Sequence, residues 1–160
     1  MSSVGPTPDK MLLKQTTREV IAQVFKDRGC SVENKRAGAV KYSPISIKGS
    51  DQRCAAIYGS KGGAASLWIK EEAWLRLKPK MNRRTARVED VDLFGRGFQW
   101  AVHFDDPDDP TIVVAAEIAM EVGRERWERA KTRRANDARR KKARILREAE
   151  IAKRKRDPFA

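Results

Sequence analysis

Residues 98–104 read Phe98-Gln99-Trp100-Ala101-Val102-His103-Phe104, an alternation of large apolar side chains with small or polar ones. Successive side chains of a strand point to opposite faces of a sheet. We therefore predict a strand whose four large side chains face the core, with Gln99, Ala101 and His103 on the other face. Since truncating a buried aromatic residue costs about 3–5 kcal/mol, Trp100→Ala is expected to destabilise the domain by that amount.

The segment after this strand predicts a long helix. Asp105-Asp106-Pro107-Asp108-Asp109-Pro110 ends the strand, and Asp109 is placed to cap a helix that begins at Pro110. From Thr111 to Asp157 the only Gly or Pro is Gly123. The apolar seam of this helix is bulky as far as Trp127, and alanine and arginine replace the large residues beyond it. We expect the distal half to be a single exposed helix that gains structure on a partner.

The residues before the strand predict one helix and several short extended segments. Thr7 and Pro8 suit the start of an amphipathic helix, and Gly29 suits its end. The extended segments are Cys30–Val32, Val40–Ile47, Cys54–Tyr58 and Ala64–Ile69, and a short helix is expected at Glu71–Leu77. Ser43-Pro44 limits the second segment to an edge strand or to two fragments. The glycine-rich joint 59–63 predicts a hairpin between the last two.

The predicted fold class is α+β. We expect a small mixed sheet of about four to five strands with an N-terminal helix, followed by a long basic C-terminal helix. The predicted domains are a compact α+β domain over residues 1–123 and a basic helical arm over residues 124–160. We expect the body, about Thr7–Trp127, to fold without the arm. At 160 residues, the chain suits one domain with an appendage.

Net charge is the most informative compositional feature. The formal charge is +13, and residues 124–156 hold 16 basic and 5 acidic side chains, a net +11. Residues 1–123 hold 19 basic and 16 acidic side chains, a net +3. Such asymmetry is typical of a folded module with a basic segment that binds nucleic acid or another polyanion.

Other compositional features exclude two classes of protein. No apolar run approaches the roughly 18–20 residues that a membrane span needs, so we expect no membrane partner. The N-terminus lacks the pattern of a secretory signal. Two cysteines, Cys30 and Cys54, are too few for a disulfide scaffold, which fits a reducing compartment. A cytoplasmic location is therefore expected.

The candidate nucleic-acid-binding residues lie in three segments. Lys61 belongs to the glycine-rich joint, where backbone N–H groups could form an anion nest, although a hairpin turn needs the glycines in any case. Arg83 and Arg84 belong to a basic stretch, Arg76–Arg87, that is predicted to be a loop or linker. The predicted helix contributes Arg133, Arg134, Arg139, Arg140, Lys141, Lys142 and Arg144.

These residues predict a nucleic-acid-binding protein that is not an enzyme and that contacts mainly phosphate groups. The basic segment has few Asn or Gln side chains to read base edges, so its binding is expected to depend strongly on salt and weakly on sequence. Double-stranded DNA is favoured over RNA, because exposed aromatic platforms for single strands are not evident.

Catalytic and metal sites are not evident in the sequence. His103 is the only histidine, which excludes a site with several histidines. The aspartates at 105–109 lack the spacing of an EF-hand loop and are explained by the turn and by helix capping. We therefore expect no cofactor and no metal.

Two alternatives remain. The order of elements from about Thr7 to Phe104 is similar to the core of restriction-endonuclease-like folds, a resemblance that implies a degenerate metal-dependent nuclease with Asp51, Lys70 and Glu19 as its residues. At the expected acid position before Lys70, however, the sequence has Trp68. The second alternative is an assembly factor whose long helix docks against a protein partner.

Overall fold

The computed structural model describes residues 15–37, 40–50, 52–59, 64–81, 86–90 and 97–156. The chain divides into two compact units, residues 1–124 and 125–160. Independent folding of the first unit remains a prediction.

The first unit contains all the strands that the structure describes and two of the three described α-helices. Its elements, and the helix that continues into the second unit, are α1 (Thr17–Asp27), β1 (Cys30–Val32), β2 (Lys35–Ala37), β3 (Val40–Ile47), β4 (Arg53–Gly59), β5 (Ala65–Ile69), α2 (Glu71–Leu77) with a 3-10 turn (Lys78–Lys80), β6 (Ala86–Asp90), β7 (Trp100–Phe104) and α3 (Thr111–Arg156).

The strands form one sheet in the order β1-β3-β4-β5-β7-β6, and β2 pairs with β3 beside β1. The predicted α+β class is confirmed. The sheet has seven strands where four to five were expected, and every pair among the described strands is antiparallel, not mixed. Only five residues separate β4 from β5, too few for the crossover that a parallel pair needs, and the two strands pair antiparallel. The predicted hairpin is thereby confirmed.

The main core lies on one face of the sheet, against α1, α2 and the first part of α3. Predicted core residues that are buried there are Phe25, Ile57, Leu67, Val102, Phe104 and Met120, and Val20 and Val24 pack against them while partly exposed. The predicted core residue Leu13 lies outside the described residues. The buried residues pack together because the apolar face of the strands lies against the apolar face of the helices.

Phe98 lies on the opposite face from the one predicted. It is buried with Ala56, Trp68 and Ala101 in a second cluster. The alternation predicted for 98–104 holds only from Trp100 onward, because the strand begins there and Phe98 lies outside it. The sheet is therefore buried on both faces at β7.

Trp100 is only half-buried, and its ring stacks on Trp74 with centroids 5.0 Å apart. The expected cost of Trp100→Ala falls to about 1–2 kcal/mol, the loss of a partly buried aromatic pair. Urea unfolding of the full chain measures this change in free energy. A loss above about 3 kcal/mol would contradict the partial burial of the indole.

The helix α1 begins later than the sequence predicts. Thr16 has extended backbone, and its hydroxyl accepts a hydrogen bond from the Glu19 N–H (3.2 Å), so a continuous helix from Pro8 is wrong. The predicted cap Thr7 lies outside the described residues. The helix end is as predicted: Gly29 follows it with φ of 86°, a conformation that favours glycine.

The prediction that Pro44 limits its segment to an edge strand or two fragments is wrong. β3 is continuous and internal, with β4 on one side and β1 and β2 on the other. The carbonyl of Pro44 accepts a hydrogen bond from the Glu33 N–H (3.0 Å). The nitrogen of Pro44 points to the same side of β3 as this carbonyl, toward the gap between β1 and β2. No described strand pairs with β3 in that gap, so the missing N–H of proline costs no hydrogen bond between strands.

The stretch Arg76–Arg87 is not the loop that was predicted. Arg76 lies in α2, the 3-10 turn follows, and Arg87 lies in β6, which pairs with β7 in the register Arg87↔His103. This strand was not predicted because strands are identified in a sequence by alternating apolar residues, and β6 is rich in charged ones.

The first part of α3 fits closely against the sheet. Asp109 Oδ1 accepts a hydrogen bond from the Thr111 N–H (2.9 Å), which confirms the predicted cap. Gly123, at the end of the buried seam, faces Cys54. A Cβ at Gly123 would lie 2.6 Å from the Cβ of Cys54 and 3.0 Å from Ile47 Cδ1. Glycine therefore permits this close approach of helix and strand.

Candidate nucleic-acid interface

The second unit is built on the distal helix, which we define as residues 125–156 of α3. Every residue from Lys131 to Arg156 is exposed, including all seven predicted binding residues of this helix. The distal helix carries 15 basic and 5 acidic side chains. The other three predicted residues, Lys61, Arg83 and Arg84, lie outside the described residues.

Few of these charges are neutralised within the helix. Lys131 pairs with Glu128 (3.4 Å), Arg144 with Glu148 (4.0 Å) and Arg154 with Glu150 (3.2 Å). Such exposed pairs contribute roughly 0–1 kcal/mol, so they compete weakly with an external anion. In the described part of the chain, no carboxylate pairs with Arg133, Arg134, Arg139, Arg140, Lys141 or Lys142.

Five arginines share one side of the distal helix. At about 100° per residue, their spacings of 4, 7, 4 and 3 residues keep them within an arc of about 60°. We call this set the arginine face, and its members are Arg129, Arg133, Arg140, Arg144 and Arg147. Asp137 borders the face on one side. Over 18 residues the face extends about 27 Å along the helix axis.

The other basic residues between Arg129 and Arg147 point elsewhere. They are Lys131, Arg134, Arg139, Lys141 and Lys142. Lys131 Nζ also lies 3.4 Å from the centre of the Trp127 ring, so this cation is engaged locally. The run 139–142, prominent in the sequence, is spread around the whole helix because successive residues are about 100° apart. The spacing of the arginines in the sequence indicates that they share one face. A count of charges does not use spacing, so the prediction missed this face.

Apolar side chains are also exposed on the distal helix. Ile145, Leu146 and Ile151 are 52%, 62% and 50% exposed. Their positions fall on three different sides of the helix, so they form no continuous apolar seam.

The structure describes three of the groups considered for catalysis, and they lie in separate segments of the chain. His103 Nδ1 lies 2.6 Å from the Ser66 hydroxyl on the neighbouring strand. Glu19 is exposed in the first turn of α1, and Lys70 Nζ lies 5.8 Å from the centre of the Phe98 ring. Asp51 lies outside the described residues. Within the described ranges no group of three or more His, Cys, Asp or Glu side chains could hold a metal ion.

The two cysteines are free, buried and in contact with each other. The hydrogen bond from Cys54, assisted by Arg124 and opposed by burial, lowers the pKa of the Cys30 thiol. The same bond and burial raise the pKa of Cys54 well above its usual value. Cys54 is therefore a protonated packing residue beneath Gly123.

Comparison of the chain with models of protein families, with curated proteins and with solved structures finds no match. Among the described residues, no helix combines the length and the apolar character needed to cross a membrane.

Proposed function

We propose that this protein binds nucleic acid, with double-stranded DNA as its first target, through the phosphate groups and without catalysis. The observation that carries the proposal is the arginine face: five exposed guanidinium groups on one side of a helix with a net charge of +10. Arginine suits this task because its planar fork matches phosphate oxygens and stays charged at all physiological pH values.

The composition of the distal helix supports contacts to the backbone rather than to the bases. Asn136 is its only side-chain amide, and it has no glutamine. Because Asn and Gln are the main readers of adenine, the helix has little means of recognising adenine. The proposal assigns its arginines to phosphate groups, so we expect little preference among DNA sequences. The proposal includes a cytoplasmic location, which the free thiols of Cys30 and Cys54 support.

A salt titration of the full chain tests this function. Six or more phosphate contacts would give a slope of log K against log salt near −5 or steeper. Affinity for a short duplex would be measured between about 50 and 200 mM salt, with a duplex of unrelated sequence as the control. Absence of binding at the lower salt concentration would refute the proposal, and a large difference between the duplexes would refute phosphate-only recognition.

A second candidate function is docking to a protein partner, and the exposed Ile145, Leu146 and Ile151 favour it. These three branched side chains lie within seven residues, and a protein partner would remove their apolar surface from water. This function takes first place if the full chain shows no affinity for DNA at low salt.

A further inference from the structure

A cleft in the first unit gathers cations that are far apart in the sequence. It has a volume of about 410 Å³ and is lined by Arg18 of α1 and by Asn34, Lys35, Arg36 and Lys41 of the β2–β3 region. Four of its five lining residues are basic, and none is acidic. By charge count the first unit is close to neutral, so this concentration of cations could not be recognised from the sequence.

Arg18 is held in this cleft by neutral groups. Its Nη2 donates a hydrogen bond to the Ser43 hydroxyl (2.5 Å), and that hydroxyl donates to Asn34 Oδ1 (2.9 Å). Ser43 is 2% exposed, so the anchor is fixed in the sheet. Gly59 makes room for the guanidinium, because a Cβ there would lie 3.2 Å from Arg18 Nη1. Within the described residues no carboxylate pairs with this half-buried cation.

The neighbouring strands add a pair of like charges. Arg36 and Lys41 are directly opposite each other in the β2–β3 register, an arrangement that destabilises a strand pair. Lys35 is partly neutralised by Glu33 at 3.4 Å, which leaves Arg18, Arg36 and Lys41 without an acidic partner in the described part of the chain. An anion bound in the cleft would remove this repulsion and would neutralise Arg18.

We infer that this cleft binds a phosphate group, through Arg18, Arg36 and Lys41. Arginine and lysine side chains are the donors that proteins use for phosphate, and the anchored fork of Arg18 provides the fixed geometry. The phosphate could come from a nucleic-acid backbone or from a free phosphate compound, and the chemistry of the cleft is common to both. This site is independent of the function proposed for the distal helix.

Thermal unfolding of the full chain with inorganic phosphate tests the inference. For a dissociation constant near 1 mM, about 10 mM phosphate should raise the unfolding midpoint by about 3–5 °C relative to chloride at the same ionic strength. The double variant Arg36→Gln/Lys41→Gln, at two exposed positions, should lose most of this shift. The matched control Lys78→Gln/Lys80→Gln, which removes two exposed charges from the 3-10 turn, should keep it.

Arg18→Gln should weaken phosphate binding at least about tenfold, since it removes a charge-assisted hydrogen bond. If Arg18→Gln fails to fold, the variant Arg36→Gln/Lys41→Gln, whose substitutions are at exposed positions, still tests whether the cleft binds phosphate. An equal rise in midpoint for the Arg36/Lys41 variant and the wild type would overturn the inference, because the effect would then be a general salt effect.

Two further arms complete the test. The first arm uses a tetranucleotide without terminal phosphates: if it raises the unfolding midpoint of the wild type but not of the Arg36/Lys41 variant, the phosphate belongs to a nucleic-acid backbone. If only inorganic phosphate raises the midpoint of the wild type, the site takes a free phosphate compound. A variant with alanine at all five positions of the arginine face should keep the shift caused by inorganic phosphate. Failure of DNA binding by the distal helix would therefore leave this result unchanged.

Discussion

Alanine at all five positions of the arginine face is expected to reduce the salt slope of DNA binding by about 4–5, since each lost phosphate contact accounts for about 0.9. If counterion release is the whole effect, the affinity at about 0.1 M salt falls by at least about a thousandfold. The variant replaces Arg129, Arg133, Arg140, Arg144 and Arg147. Alanine is the best helix former, so circular dichroism should show that the helix is retained.

A matched variant removes the same number of charges from the other sides of the same segment. It carries alanine at Lys131, Arg134, Arg139, Lys141 and Lys142. A helix presents one side to a duplex at a time, so this variant should flatten the slope by no more than about 1–2. Fluorescence anisotropy across a salt series measures both slopes. Equal losses in the two variants would show that the helix acts as a diffuse charge and that the arginine face has no special role.

Gly123→Ala is expected to lower the free energy of unfolding by about 2–3 kcal/mol. The new methyl group would meet the Cβ of Cys54 at 2.6 Å, and neither atom belongs to a flexible side-chain end that could turn away. Overpacking of this kind costs up to about 3 kcal/mol or more, and the better helix propensity of alanine offsets about 1 kcal/mol. Denaturant unfolding of the full chain measures the difference.

The cause of this loss can be tested by removing the opposing atom. In the double variant Gly123→Ala/Cys54→Gly, the methyl group enters the space that the cysteine side chain vacates. We expect the double variant to be more stable than the sum of the two single losses predicts, by about 1 kcal/mol or more. If the two losses of free energy are strictly additive, the close contact between Gly123 of α3 and Cys54 of β4 is not the cause of the loss in Gly123→Ala.

Local signals in the sequence predicted much of the fold correctly. The end of α1 at Gly29, the hairpin between β4 and β5 and the cap at Asp109 each depend on residues within a few positions of one another. Features that depend on partners distant in sequence were wrong or overlooked. The continuity of β3 through Pro44 depends on a break between two other strands, and β6 gains its place by pairing with β7.

The same distinction applies to the candidate sites. The basic segment could be recognised from the sequence because its charges are consecutive. The cleft around Arg18 could not be recognised, since Arg18 lies on a helix and reaches Ser43, 25 positions away, only after the sheet has formed. The arginine face is intermediate: its spacing is present in the sequence, but it has meaning only once residues 129–147 are known to be helical.

The unbroken course of α3 has a consequence for the thermodynamics of DNA binding. An isolated helix is limited by its nucleation, which fixes several residues for a single hydrogen bond. In α3 the turns from Thr111 to Gly123 are packed in the core, so each later residue only elongates a helix that already exists. The basic residues thereby belong to a helix that continues from a packed segment, whereas the sequence predicted a distal half that gains structure on a partner. Binding should consequently lose less conformational entropy than that of a disordered basic tail, and its calorimetric heat capacity change should lack the contribution of coupled folding.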